Sequence, residues 1–310
     1  MYFNCSEPSK LKPSKRLDSV PFTVTESNAS QAFASLRAES VIHYGDKPVL
    51  RSIVDIDSSL PLDTKLLPEL PPPDRSKEQA DARTNYFPLD KAIAALDEQS
   101  PNWRVSDSTV VVTFRNNLSK LLLKDEWNIR VYRKGNVVFF GKWFGRTFGS
   151  EPVGPKFEKW CHTDTTANNS YCTVAEFRVD DTVLYVASET DAVIESDNDN
   201  KLVEIKTCTK KSLKNSIANR CVQGVFGAVE VFVLGTKDED DEETINVVET
   251  KERAEWAKSK KAETGYNRLK RVLEMLQSHN RDGLFVLVKA KKSDRIVLHN
   301  ASKHWKFISE

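Results

Sequence analysis

The chain lacks most of the features that would place it in a specialised class. No apolar run in its 310 residues approaches the roughly 18 needed to span a membrane, so a membrane partner is not expected. Its opening stretch, MYFNCSEPSKLKPSKR, holds no apolar signal core, so routing to secretion is not expected either. The cysteines are few and odd in number (Cys5, Cys161, Cys172, Cys208 and Cys221), without a CxxC pair. That pattern reads as reduced thiols and not as a disulfide framework. Histidines are equally sparse: His43, His162, His279, His299 and His304 include none paired with a cysteine at zinc spacing. Cys161 and His162 are neighbours in sequence, which is no evidence for a nucleophilic dyad, and both read as packing or surface residues. Gly-rich phosphate loops are absent, which argues against a nucleoside-triphosphate motor. There is no internal repeat. With nothing directing the chain to secretion, Asn117-Leu118-Ser119 reads as a chance match to a glycosylation triplet.

What is present describes an ordinary globular chain. Hydrophobic residues at 39% and charged residues at 29% exceed what a disordered chain offers and suffice for a core. The length permits one large domain or two, and no linker divides it convincingly. A net charge of +1 conceals an acidic run, Lys237 to Glu243, ahead of a Lys/Arg-rich stretch from Lys251 to Arg271. The neutral average neither supports nor excludes a polyanionic partner.

Periodicity outlines a mixed α and β chain. The first fifty or so residues are Ser-rich and weakly periodic, and KLLPELPPPDRSK is a polyproline-type connector. FPLDKAIAALDEQ predicts a helix, DSTVVVTF a buried strand and RNNLSKLLL a helix directly after it. WNIRVYRKGNVVFFGKW predicts a hairpin turning at Lys134-Gly135-Asn136. EFRVDDTVLYVASETDAVI, KLVEIKTC and VEVFVLGTK read as strands, with a helix over SLKNSIANRCVQGVFGA between the last two. The tail predicts one long charged helix from about Lys251 to Ser278 and a closing hairpin over GLFVLVKAKKSDRIVLH. Trp256, Lys258, Lys260, Lys261, Lys270 and Arg271 on that helix could line an RNA channel. A solvated face with ion pairs one turn apart is the simpler reading.

One segment carries chemistry. ASETDAVIESDNDNKLVEIKT is two short apolar runs around a polar loop, with Glu189 and Asp191 in the first and Glu204 and Lys206 in the second. Residues two apart on a strand share a face, so in a hairpin three carboxylates and an ammonium would converge. Glu204 follows Asp191 by 13 residues and opens Glu-Ile-Lys, the pattern of the PD-(D/E)XK nuclease core. Hard divalent cations take oxygen ligands, and a phosphodiester can share that coordination. Ile205 has no side chain for the task, but its carbonyl could complete a metal shell. The same alternation would also serve a solvated hairpin face. Against that face, Glu189 and Asp191 on one side of a strand repel unless a cation lies between them.

Five segments, in order, give the pattern a family. VVTFRNNLSKLL with Arg115, VGPKFEKW ending in Glu158, SETDAV with VEIKT, and RCVQGVFGAVEVFVLGTKD with Gln223 resemble the motifs of the DXO/Rai decapping exoribonucleases. The matches run from about residue 110 to 237, with looser likeness outside. The resemblance implies an α+β fold of two β-sheets with flanking helices around the nuclease-like core. It implies a single catalytic domain over 1–310, with the Pro-rich connector near 61–74 inside it. By the same resemblance Glu158, Glu189, Asp191, Glu204 and the Ile205 carbonyl would hold one or two Mg2+ or Mn2+ ions. Lys206 and Gln223 would contact the scissile phosphate or the attacking water, and Arg115 would grip a substrate phosphate, which suits its forked guanidinium. Implied activities are removal of incomplete or NAD caps, 5′ pyrophosphate release and 5′–3′ trimming of single-stranded RNA with a capped, triphosphate or monophosphate end. A larger 5′–3′ exoribonuclease is an implied partner and the nucleus the implied compartment. The cytoplasm stays open, since Lys12 and Lys15-Arg16 form only a weak nuclear signal. Two departures bear on the pocket: Pro155 stands where the family has tyrosine, and the 17-residue interval from Lys206 to Gln223 is short. A DNA nuclease sharing only the core, and a weakly catalytic RNA-binding scaffold, remain alternatives.

Overall fold

The computed structural model describes residues 16–21, 33–45, 47–50, 62–63, 88–141, 153–163, 171–195, 200–240, 244–256, 259–293 and 295–301. The Pro-rich connector therefore lies outside the described residues, apart from a two-residue strand. The architecture is α+β, with two sheets and flanking helices, as the resemblance implies.

Among the described residues the larger sheet has nine strands. In chain order they are β1 (Arg16–Pro21), β2 (Ser40–Tyr44), β4 (Thr109–Phe114), β5 (Trp127–Lys134), β6 (Val137–Gly141), β7 (Cys172–Val179), β8 (Thr182–Glu189), β13 (Gly283–Lys289) and β14 (Arg295–Asn300). Across the sheet they run β1-β14-β13-β5-β6-β4-β8-β7-β2, and β4 lies parallel to both β6 and β8. The smaller sheet holds β3 (Leu62–Asp63), β9 (Ala192–Ile194), β10 (Lys201–Thr209), β11 (Val231–Lys237) and β12 (Thr244–Glu252), in the order β3-β12-β11-β10-β9.

Both faces of the large sheet are covered, so β4 and β8 are apolar along their length and do not alternate. Helix α1 (Pro88–Gln99) places Leu89, Ala92 and Leu96 against Val110, Val112 and Tyr185 on one face. On the other, α2 (Arg115–Leu123), α5 (Ile217–Phe226) and α7 (Lys260–Ser278) bury Leu118, Leu122, Val222, Phe226, Leu269 and Leu273 against Val111, Phe140 and Val186. The small sheet packs Ile205, Val231 and Val233 against Phe157 of α3 (Val153–Trp160).

Helix α2 is clamped at both ends. Asn117, buried at its first turn, donates to the carbonyls of Phe140 and Gly141 at 3.2 Å each. A glycosylation acceptor cannot be buried in this way, so the triplet it opens is indeed fortuitous. At the other end Arg268 of α7 donates to the carbonyls of Leu121 (2.8 Å) and Lys124 (2.9 Å), which the helix leaves without internal partners. Gly265 brings α7 against this same turn: a Cβ there would collide with the Leu122 carbonyl oxygen and stand 2.7 Å from the Leu122 Cα.

Three readings from sequence need correction. The tail is not one helix from Lys251: residues 244–252 are strand β12, followed by the short α6 (Arg253–Trp256), and α7 starts at Lys260 behind the Ser259 cap. The side-chain settings of Trp256 and Lys258 lie outside the described residues, while Lys270 pairs with Asp180 at 3.0 Å and Arg271 with Glu274 at 2.8 Å. The helix over SLKNSIANRCVQGVFGA is two, α4 (Lys210–Asn215) and α5, broken at Ser216. The weakly periodic start contains strands β1 and β2, whose edge position leaves little hydrophobic signature. Among the described residues Cys161, Cys172, Cys208 and Cys221 form no disulfide, and no described helix is long and apolar enough to cross a membrane.

Gly265→Ala should destabilise the protein by about 2 kcal/mol, since the α7–α2 crossing must open to admit a methyl group. Urea unfolding against the parent chain measures it.

Candidate metal centre

The two sheets meet where the chain leaves β8 and enters β9. Glu189 is the last residue of β8 and Asp191 precedes β9. They therefore do not share one strand face, contrary to the hairpin expected for this segment. Glu189 is exposed at the rim and Asp191 is buried. The switch of sheets decides this, and local alternation cannot report it. The crossing is pinned on both sides. Thr190 donates its N–H to the Tyr171 carbonyl at 3.0 Å, and the His162 ring Nε2 lies 2.8 Å from the Asp191 carbonyl. The hairpin proper is β9 with β10, paired from Ala192–Val203 to Ile194–Lys201.

Glu204 sits in mid-β10 and is 1% exposed. Its Oε2 accepts from Arg115 Nη1 at 2.7 Å, and its Oε1 from Arg115 Nη2 (3.3 Å), Gln223 Nε2 (2.8 Å) and Lys206 Nζ (2.7 Å). Burying a carboxylate costs several kcal/mol unless it is paired and hydrogen-bonded, and here two cations and an amide share the task. Burial alone would raise its pKa, but Arg115 and Lys206 outweigh burial and hold the acid below the usual carboxylate range. Each partner is delivered by a different element. Arg115 opens α2, a position where the helix dipole opposes a cation, so an acidic partner offsets its placement. Gln223 lies on α5, and Lys206 stands two residues along β10 on the face of Glu204.

Asp191 approaches β10 from the side. Its Oδ2 accepts from the Ile205 N–H at 2.8 Å and from Lys206 Nζ at 2.9 Å. Burial, then the Glu204 charge, pushes its carboxyl up. Burial pulls the other way on Lys206, but Glu204 and Asp191 outweigh it and raise that ammonium. Lys206 also donates to the Ile205 carbonyl at 2.9 Å. Glu158 on α3 is half-buried, close enough to feel Asp191, Lys206, Glu189 and Glu204; burial first, then those carboxylates, pushes it up to about 8. Pro155 fits the first turn of α3, where its missing N–H leaves no bond unmade.

The seven acidic, basic and amide residues expected from sequence, with the Ile205 carbonyl, thus assemble at one place. The expected carboxylate ligand cluster does not stand ready: among the described residues no three His, Cys, Asp or Glu side chains are gathered closely enough to hold a metal ion. The physical reason is the ammonium of Lys206, which lies between Asp191 and Glu204, while Arg115 takes the remaining Glu204 oxygen. The oxygen set nonetheless fits a hard divalent ion. Asp191 Oδ2, Glu204 Oε1 and the Ile205 carbonyl already converge on one positive charge, and Mg2+ or Mn2+ prefers oxygens of this kind.

Supporting residues escaped the sequence reading. His162, read as packing, holds the Asp191 carbonyl. Gly227 ends α5, and a Cβ there would stand 2.7 Å from Arg115 Nη1. Its place just past an apolar helix is the signal that would have flagged it.

The sequence matches no protein-family model and no curated protein. The fold does have solved counterparts. Rai1 of Scheffersomyces stipitis, solved with (3′-NADP)+ and a calcium ion, superposes with a TM-score of 0.64 at 14% identity over 94% of each chain. Rai1 of Candida albicans, solved with pU5 and Mn2+, gives 0.59 at 15% identity over 87% of this chain and 92% of that one. K. lactis Dxo1, solved with manganese, gives 0.58 at 12% over 94% and 95%. The chain has the Rai1/Dxo1 fold.

Two outcomes are expected. Arg115→Met leaves the buried Glu204 one cation short and should cost about 3 kcal/mol in urea unfolding. Glu158, ordinarily near 4.5, keeps its proton in the folded metal-free protein, which is therefore favoured at low pH and loses this contribution as pH rises through about 8. A metal ion held by Glu158, as the resemblance implies, would displace that proton, so Mn2+ should then raise Tm more at pH 8 than at pH 6 in thermal scans.

Proposed function

We propose that the chain is a divalent-metal-dependent hydrolase acting on the 5′ ends of RNA and leaving a 5′-monophosphate. The observation that carries this reading is the convergence of Asp191 Oδ2, Glu204 Oε1 and the Ile205 carbonyl on a single cation, in the Rai1/Dxo1 fold. Those oxygens would hold Mg2+ or Mn2+, with Glu158 and Glu189 completing the shell around one or two ions. A bound ion supplies Lewis acidity to the water and phosphate beside it. The chain's own residues do the rest. Lys206 and Arg115 bind and orient the phosphate and offset charge that develops on it. Gln223, fixed by its bond to Glu204, aligns the attacking water through its amide. The closed core beneath β10 excludes bulk water from the face that carries Glu204.

Proteins of this fold bind ligands that fit the reading: C. albicans Rai1 was solved with pU5 and Mn2+, and S. pombe Rai1 with 3′-FADP. Together with (3′-NADP)+ in the S. stipitis protein, they favour removal of nucleotide-type caps, NAD among them, alongside pyrophosphate release and 5′–3′ trimming. A second reading, a weakly catalytic RNA-binding partner of a larger 5′–3′ exoribonuclease, draws on the absence of a preformed three-carboxylate cluster among the described residues.

Turnover on RNAs with 5′-monophosphate, triphosphate, unmethylated-cap, methylated-cap and NAD ends tests both. Product with Mn2+ or Mg2+ is expected, falling at least a hundredfold in Glu204→Gln. RNA binding without turnover on any end would sink the hydrolase and leave the scaffold.

A further inference from the structure

The ammonium of Lys206 occupies an unusual position. Its three acceptors, Asp191 Oδ2 at 2.9 Å, Glu204 Oε1 at 2.7 Å and the Ile205 carbonyl at 2.9 Å, are the oxygens assigned above to a divalent ion. Its charge also closes a balance. Asp191 and Glu204 carry two negative charges, and Lys206 with Arg115 carries two positive ones. While that pairing stands, both of these cations are engaged with carboxylates and neither is available to the phosphate of a substrate.

The two cations differ in freedom. Arg115 is 12% exposed, its fork bonded to Glu204 through two nitrogens and seated in the space that Gly227 leaves by lacking a Cβ. Lys206 is 36% exposed, and an ammonium is a compact, strongly hydrated charge on a flexible four-carbon stem. It can swing outward while β10 and the core beneath stay in place. The Ile205 N–H bond holds Asp191 where it is when the ammonium leaves.

We propose that Lys206 is the site's internal cation, that divalent-ion loading is an exchange which displaces it, and that the displaced ammonium then provides the anchor for the substrate phosphate. Metal and anionic substrate are thereby coupled positively: each favours the arrangement in which Lys206 has left the carboxylates, and linkage makes the effect reciprocal. This rests on the divalent-ion site proposed above.

Calorimetric titration of the full chain with Mn2+ tests it, comparing the parent with Lys206→Met and Asp191→Asn. Lys206→Met, which removes the competitor and keeps the stem's bulk, should bind Mn2+ about tenfold more tightly. Asp191→Asn should bind at least tenfold more weakly. Tighter binding absent in Lys206→Met, with binding weakened in Asp191→Asn, overturns the exchange and leaves the metal site standing. Unchanged affinity in Asp191→Asn overturns the metal site itself. Should Lys206→Met fail to fold, the parent chain decides: acetylation of Lys206 by acetic anhydride, read by mass spectrometry, should rise severalfold on saturation with Mn2+. Acetylation that stays level while Mn2+ binds overturns the exchange.

Discussion

The buried carboxylate of Glu204 is the constraint around which the site is organised. A charge that is 1% exposed is tolerated only if every acceptor direction finds a donor, and here the donors come from β10, α2 and α5. Their positions are settled in turn by the core. Helix α2 is tied at one end by Asn117 and at the other by Arg268, and α5 is held by Val222, Val225 and Phe226 in the same apolar cluster. The geometry of the site is therefore a property of the three-helix layer as much as of the strand that carries the carboxylate.

The second organising feature is the point at which the chain passes from one sheet to the other. Glu189 ends the large sheet and Asp191 begins the approach to the small one. Placing the acidic pair at this crossing separates one exposed carboxylate from one buried carboxylate. It also lets Asp191 reach the backbone of β10 sideways, through the Ile205 N–H. A pair on one uninterrupted strand would have faced the same way, and like charges two residues apart would have repelled. The His162 ring and the Tyr171 carbonyl hold the crossing by its backbone atoms, so the crossing residues' own side chains leave only a faint trace of it.

Much of this was legible beforehand because it depends on local periodicity. The strands β4, β5, β6, β10 and β11, the helices α1 and α2, and the closing hairpin follow from runs of apolar residues with the right repeat. Glu189, Asp191, Glu204 and Lys206 stood out because charged groups interrupt otherwise apolar runs, whereas Arg115, Glu158 and Gln223 were reached only through the resemblance to the DXO/Rai motifs. The first strands did not stand out, since edge strands bury little. Nor did β12, because TINVVETKE is only partly buried and runs into a stretch whose charges read as helical.

By itself the sequence determined a mixed α and β chain and the two acidic doublets, one with its lysine, that mark the site; the guanidinium and the amide beside them came with the family resemblance. Residue type and spacing suffice for the doublets, since they are read along the chain. Only the tertiary structure decided which oxygens share a cation, that Lys206 lies among them, and that Gly227 and His162 support the arrangement. These contacts join positions tens of residues apart, up to 89 between Arg115 and Glu204. Such distances are closed by packing of the core, which no local pattern encodes.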